Sequence, residues 1–407
     1  MAKKVGIIIG ILMLVIIFLS ASFMGGFLLG TRLESSKRAS SGVSLDLITE
    51  VFKLVRFHYV EPVSSKKLEA GAIRGMLEVL DDPYTHYLRS SEFQSLQEHT
   101  MGHFFGVGIE IGLRNKKVVV ISPIQGTPAE KAGLKAGDKV VEIDGKSTKG
   151  LNLNQVVKRI RGPEGTRVVL TIERKGEAKP LEFKLTRTKI SIPNLSSKIL
   201  DKDIGYVYLH TFNGGATRDL KKAITKLTND GAKGLILDLR NNPGGSLEES
   251  IGVGSIFVES GPIVKIKKRS GKTESRYALG RADQKIPLVV LVNEGSASAS
   301  EIVAGAIQDT KRGTLIGEKT FGKGSVQTVI PLGRGEGGLI ITTDSYLTPK
   351  GRAVNKKGIT PEIIVPMGNE KPLSDQDVQF KRAKEILREK SSRVKSISST
   401  RELVLSP

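Results

Sequence analysis

Val290-Leu291-Val292-Asn293-Glu294-Gly295-Ser296-Ala297-Ser298-Ala299-Ser300-Glu301-Ile302 is an aliphatic run that breaks at a glycine into small residues. An apolar run bounded by turn signals predicts a buried strand, and a Ser/Ala start followed by Glu predicts a helix. A strand feeding directly into a helix is the building unit of an α/β sheet. A serine at such a junction meets unpaired N–H groups and the positive end of a helix dipole, which favour developing negative charge. The same residues also read as an ordinary helix start, with Ser298 or Ser300 as the cap and Glu301 in the first turn.

Outward from this run the alternation continues. Strands are predicted at Ile204–Leu209, Gly234–Leu239 and Pro287–Asn293, and helices at Ala216–Thr228, Ser246–Phe257 and Ser298–Asp309. Residues from 102 to 188 have a different texture. Short β runs such as Lys117–Ile121 and Arg167–Ile172 are divided by Gly, Pro and Asn, with one helix over Asn154–Arg161. That pattern predicts a compact, mainly β domain of about ninety residues. Before it, Val43, Leu47, Val51, Leu54 and Val55 recur at helical spacing up to Pro62, and a second helix is expected over Lys66–Leu80, ending at Asp81-Asp82-Pro83. Residues 368–407 form a charged tail with one helix around Ser374–Glu389.

No charged residue occurs from Val5 to Thr31. As a helix this stretch is about 40 Å long, enough to span a bilayer. Lys3 and Lys4 precede it, so the positive-inside tendency sends the body outward, although Arg32, Lys37 and Arg38 on the far side reduce the asymmetry. Ser20, Ala21 and Ser22 also fit a signal-peptidase site. Two placements follow: a single-pass cell-membrane protein with an extracytoplasmic body, or an exported, periplasmic one if residues 1–22 are cleaved.

The 407 residues contain no cysteine, which excludes a thiol nucleophile and disulfides. The net charge of +21 comes from Lys and Arg spread along the chain without a basic block or aromatic interleaving. This argues for a solvated basic surface and against a nucleic-acid partner.

Thr127-Pro128-Ala129-Glu130-Lys131-Ala132-Gly133-Leu134-Lys135-Ala136-Gly137-Asp138, continuing to Asp144-Gly145, resembles the PDZ domain of bacterial proteases. Phe105-Gly106-Val107-Gly108-Ile109 resembles its carboxylate-binding loop, where glycines let consecutive N–H groups turn toward a peptide terminus and the next strand offers an edge. Val107, Gly108 and Ile109 are the expected groove, with Arg161 a further candidate that also reads as a solvated helix end.

Thr320-Phe321-Gly322-Lys323-Gly324-Ser325-Val326-Gln327, taken with the Ser298 run, resembles the C-terminal processing peptidase family. The resemblance extends over roughly residues 43 to 367. It implies Ser298 as nucleophile, Lys323 as general base and Gln327 as the residue that orients the lysine. In Asp238-Leu239-Arg240-Asn241-Asn242-Pro243-Gly244-Gly245 it implies that the Gly244 N–H joins that of Ala299 in an oxyanion hole. The implied architecture is a ClpP/crotonase-like spiral α/β core at 189–367, an inserted, mainly β PDZ domain at 102–188 and an N-terminal helical unit at 43–101. A membrane anchor or signal peptide (1–31), a linker (32–42) and the tail complete the chain. The implied partners are proteins or peptides with free C-termini, together with a second copy through the N-terminal helices. No cofactor or metal is implied.

The chemistry sets its own demand. A free lysine has a pKa of about 10.4, so at pH 7 about one molecule in two thousand carries the neutral amine. Desolvation must lower that value, and a shift of about three units costs the charged form about 4 kcal/mol. A glutamine accepts one amine N–H without the charge that would raise the pKa again.

Alternatives remain open on sequence. A Ser/His/Asp triad would need His58, His86, His99, His103 or His210, none in a Gly/Ser context. His99 and His103 lack an H-E-x-x-H frame for a metal, and Asp238 and Arg240 lack the phosphate-binding glycine pattern of a nucleotide site. A non-catalytic PDZ scaffold that binds tails, or an acyl-CoA enzyme on the same core, would share much of the pattern.

Overall fold

The computed structural model describes residues 45–390 except 202, 281, 283–285, 369–372 and 375. The expected anchor or signal peptide, the linker and the end of the tail lie outside the described residues. Among those described, no helix is long and apolar enough to cross a membrane. The chain divides into two compact units at Met76/Leu77.

The first unit holds the helix Leu45–His58 and most of the helix Ser65–Glu78, whose first stop is set by Pro62. Neither helix buries a residue. Leu47, Ile48, Val51, Leu54 and Phe57 stand exposed on the first helix.

The second unit is built around a six-stranded sheet in the order Leu195–Leu200, Ile204–Leu209, Gly234–Asp238, Leu288–Val292, Thr314–Gly317 and Ile363–Ile364. The first pair is antiparallel and the others parallel. Gly234–Asp238 and Leu288–Val292 are buried throughout, as strands covered on both faces must be. Their side chains divide with a period of two. Val207, Leu237, Val290 and Val292 pack with the helices Ala216–Asn229, Leu247–Phe257 and Ala299–Asp309. Tyr206, Ile236, Val289 and Leu291 pack against Ala383, Ile386 and Leu387 of the helix 378–390. That last helix starts later than Ser374 because Asp377 caps it, accepting the Phe380 N–H at 2.9 Å.

A second, five-stranded sheet is not evident in the sequence. It joins His86–Leu88, Gly338–Leu347, Pro262–Lys268 and Thr273–Tyr277 in that order, with Ser325–Pro331 also paired to Gly338–Leu347. His86–Leu88 therefore belongs to the sheet that carries Gln327, although the sequence groups it with the N-terminal helices. The helix Ser90–Thr100, also unexpected, follows it.

The PDZ segment forms its own sheet, Ile109–Arg114, Lys117–Pro123, Lys139–Ile143, Arg167–Glu173 and Leu181–Thr186, with the short Lys146–Ser147 beside it. Its helix Leu153–Ile160 opens on a capping box: Asn152 Oδ1 accepts the Gln155 N–H at 3.0 Å, and Gln155 Oε1 accepts the Asn152 N–H at 2.9 Å. Val118, Val140, Val156, Leu170 and Ile172 fill the core between sheet and helix.

At the end of Gly234–Asp238 the chain enters the Gly-rich loop through a buried ionic cluster. Arg240 is 1% exposed and holds Asp238 at 2.6 Å and Asp377 at 3.0 Å. Tyr206 Oη adds a bond to Asp238 at 2.8 Å. Burial works against the guanidinium charge, but the two carboxylates more than offset it and leave the Arg240 pKa above its ordinary value. Asp238 and Arg240 are thus an internal tie between sheet, loop and the last helix, leaving neither free to hold a nucleotide.

Candidate active site

Strand Leu288–Val292 ends at Asn293, whose Oδ1 accepts the N–H groups of Gly295 (3.1 Å) and Asn241 (2.8 Å). Ser296 Oγ donates to the Leu239 carbonyl at 2.7 Å, and Ser300 Oγ to the Asn242 carbonyl at 2.9 Å. The Ser298 turn and the 238–245 loop are thereby stapled together. Ser298 itself is half-buried and has φ 55° and ψ −113°, a left-handed setting that a residue with a Cβ rarely adopts. Such strain is of order 1–3 kcal/mol and persists only where the surroundings impose it.

What imposes it here is Glu301. Its side chain is fully buried and accepts four close hydrogen bonds, with the Tyr346 hydroxyl a longer fifth donor at 3.5 Å. Oε2 takes the Ser298 N–H (2.9 Å) and the Lys323 N–H (2.8 Å). Oε1 takes the Gly322 N–H (2.7 Å) and the Thr320 hydroxyl (2.5 Å). Tyr346 closes the far side: its hydroxyl lies 3.0 Å from the Ser298 carbonyl and in contact with the Lys323 carbonyl. Burial holds that phenol well above its ordinary pKa, so it is neutral and a donor. Ser298 and Lys323, far apart in sequence, are brought together by one carboxylate and one hydroxyl. Sequence reading assigned Glu301 only to a helix cap, so its grip on the lysine loop was missed.

Gly244 lies against the Ser298 turn. A Cβ there would lie 2.9 Å from each of Ser298 Cβ, the Ala297 carbonyl and the Ala299 nitrogen, and its φ is +105°. Only glycine leaves open the space over the Ala299 N–H, which as the first residue of its helix has no intrahelical acceptor. The Gly244 N–H, however, donates to Asn242 Oδ1 at 2.9 Å. The expected pair of oxyanion donors is therefore half committed elsewhere.

Among the described residues, the Lys323 amine is not hydrogen-bonded to its expected partners. Burial pushes the Lys323 amine below its ordinary pKa, against the opposing pull of the Asp82 and Glu301 carboxylates. Its Nζ stands 4.7 Å from the centre of the Tyr84 ring. Among the described residues no hydrogen bond joins that amine to Ser298 or to Gln327. Gln327 does not meet the lysine as the sequence implied: its amide donates to Ser325 Oγ (2.8 Å) and Thr342 Oγ1 (3.2 Å). No histidine among the described residues hydrogen-bonds Ser298.

In the PDZ unit Val107 is core, 1% exposed, while Ile109 opens the edge strand. Gly108 has φ +79°, and a Cβ there would strike Thr127 at 2.3 Å. The expected loop is therefore built on a required glycine. Arg161 is not a free anion ligand: it pairs with Glu98 at 2.7 Å and lies over the Phe104 ring. A cavity of about 760 Å³ lies elsewhere on this domain, between Leu113, Val118, Val140 and Leu151, and includes none of the four expected groove residues.

Comparison with known proteins finds matches along most of the chain. Peptidase family S41 matches residues 203–365, a PDZ domain residues 119–174, and the activating protease CtpB N-terminal domain residues 29–91. A carboxy-terminal-processing protease of Bartonella bacilliformis is 41% identical over 88% of this chain and 82% of its own. The chain belongs to this family of C-terminal processing serine proteases. A carboxyl-terminal-processing protease of Synechocystis is 40% identical over 82% of this chain and 80% of its own. The carboxy-terminal processing protease CtpA of Bacillus subtilis is 36% identical over 85% and 74%. The fold is the mixed α/β S41 peptidase fold with a PDZ domain and an N-terminal helical domain, and the scaffold and acyl-CoA alternatives are set aside.

Two outcomes are expected. Glu301→Gln sets an amide N–H against some of the four donors, each buried unpaired donor costing about 1–3 kcal/mol; peptidase kcat falls at least about a hundredfold and the urea midpoint drops. Ser298→Gly and Ser298→Ala are both inactive, but the glycine variant is the more stable by about 1 kcal/mol. It sheds the strain at φ 55° at a smaller entropic penalty, and thermal unfolding reads the difference.

Proposed function

We propose that the protein is a serine endopeptidase that cleaves exported proteins or peptides near their C-termini through a Ser298/Lys323 acyl-enzyme mechanism. The carrying observation is the junction at Glu301, which draws the Ser298 turn and the Lys323 loop onto one buried carboxylate. A partly buried lysine with a depressed pKa beside a serine at a helix N-terminus suits general-base activation of a hydroxyl. In this reading Lys323 takes the Ser298 proton, Ser298 Oγ attacks the scissile carbonyl, and the amine returns the proton to the leaving group. Water then hydrolyses the ester. Ala299 N–H holds the oxyanion, joined by Gly244 N–H once Asn242 releases it, and Gln327 turns to accept an amine N–H.

The PDZ domain takes the substrate's terminal carboxylate in the loop at Val107, Gly108 and Ile109, with the tail added along the Ile109–Arg114 edge. A bound tail that favours the assembled arrangement over the resting one would raise activity in proportion to its differential affinity. Residues 1–31 tether the chain to a membrane with the protease outside it, or export it if residues 1–22 are cleaved as a signal peptide. The exposed apolar side chains Leu47, Val51 and Leu54 support pairing of two copies through the N-terminal helices.

The test is cleavage of a peptide with a free C-terminal carboxylate and of its C-terminal amide. Ser298→Ala and Lys323→Ala each lose at least about a thousandfold in kcat, on the scale of removing a nucleophile or base in serine proteases. The amide raises KM about tenfold or more, as loss of a charge-assisted contact does. Full activity in either variant refutes the mechanism, and equal KM for the two peptides refutes the tail site.

A further inference from the structure

The amine of Lys323 rests on a built surface. Tyr84, whose ring it faces at 4.7 Å, is fixed by a turn: Asp82 Oδ1 accepts the Tyr84 N–H at 3.0 Å, and Oδ2 accepts the Thr85 hydroxyl at 2.7 Å. Thr85 is buried, and its Oγ1 accepts the Thr342 N–H at 3.0 Å. Thr342 Oγ1 is in turn bonded by Gln327. The residues that follow, His86–Leu88, pair with Gly338, Leu339 and Ile340. Asp82-Pro83-Tyr84-Thr85 is thus bolted to the strands that carry Gln327, with its aromatic face turned to the lysine. The Asp82 carboxylate closes the turn, but the turn alone has no need of an aromatic ring over the amine.

We propose that Tyr84 and Asp82 are positioning residues for the general base: together they hold the Lys323 amine as an ammonium at a resting station, which it leaves for Ser298 only on giving its proton to water. The physics is one-sided. A ring face attracts the cation and offers the neutral amine little. Asp82 also favours the cation through space, with no direct ion pair to Lys323 among the described residues. Hydrogen bonds from Thr342, Thr85 and Tyr84 outweigh burial and hold the Asp82 carboxyl below its ordinary pKa, keeping it charged. Of the other titratable groups around this cluster, Glu301 also favours the lysine cation while accepting hydrogen bonds from Ser298, Thr320, Gly322 and Lys323, Tyr346 is a neutral phenol, and His86 favours the charged form of Asp82. Burial lowers the lysine pKa, the Asp82 and Glu301 carboxylates oppose that fall, and the Tyr84 ring face favours the same charged form.

The inference rests on Lys323 as the base, and the test separates the two claims. The acid limb of kcat/KM against pH reports the free enzyme, in which the amine is at its station. It is measured on the full chain with a cleavable peptide, alongside thermal unfolding. Removing a group that favours the ammonium lowers its pKa, so Tyr84→Leu and Asp82→Asn move the limb to lower pH. For Tyr84→Leu the shift is about 0.5 to 1.5 pH units, or roughly 3- to 30-fold higher kcat/KM below the limb. Tyr84→Trp, with the stronger ring, moves the limb up, and Tyr84→Phe restores the wild-type position. If Tyr84→Leu fails to fold, the opposite shifts of Tyr84→Trp and Asp82→Asn carry the test. A limb that stays put across these variants while their unfolding temperatures fall overturns the station and leaves a structural turn. If Lys323→Ala remains active, the dyad itself is wrong. If Lys323→Ala is inactive and the limb ignores residue 84, only the station is wrong.

Discussion

One buried carboxylate holds the catalytic region together. Glu301 makes no ion pair among the described residues and is held by close donors from Ser298, Thr320, Gly322 and Lys323. Such a group is costly to bury unless every acceptor position is used, and here the donors are the backbone of the nucleophile turn and of the lysine loop. The helix N-terminus contributes its dipole in the same direction. The bonds that satisfy the carboxylate are the same bonds that draw the Ser298 turn and the Lys323 loop together. The loop is further seated by Thr320, whose Oγ1 accepts the Ile359 N–H at 2.7 Å, and by Gly358, where any side chain would strike the Thr320 carbonyl.

Around that junction the fold supplies rigidity in layers. The Arg240 cluster fixes the entry of the 238–245 loop, and paired Asn and Ser side chains fix its exit against the Ser298 turn. Ser298 is left in a backbone setting that only such over-determination maintains. Within that frame the lysine amine faces Tyr84, and the Gly244 N–H faces Asn242.

Much of this was legible in the sequence where the signal is local. The central strands showed as apolar runs because both their faces are covered, and the helices between them showed by period and cap. Ser298 and Lys323 were singled out by their Gly/Ser contexts and the family pattern, and the structure brings their backbones onto one carboxylate. Nonlocal relations were not visible. Glu301 reads as a helix-start residue because its bond to Ser298 is local, and nothing at that position announces partners some twenty residues on. His86–Leu88 is too short to carry a period, and its pairing with Gly338–Leu347 spans most of the chain. Arg161 looked available because a helix-end arginine usually is solvated, whereas Glu98 on an unforeseen helix holds it. The lysine's neighbours, Tyr84 and Asp82, come from a segment that reads only as a helix stop.

The account turns on Ser298 being the acylated atom and Lys323 the group that makes it reactive. The most direct measurement is intact-mass and peptide-level mass spectrometry of the full chain after incubation with an acylating serine-protease probe. A single adduct on Ser298, absent in Ser298→Ala and formed at least about a hundredfold more slowly in Lys323→Ala, is the predicted result. Labelling of another residue, or Ser298 labelling at an undiminished rate without the Lys323 amine, would contradict it.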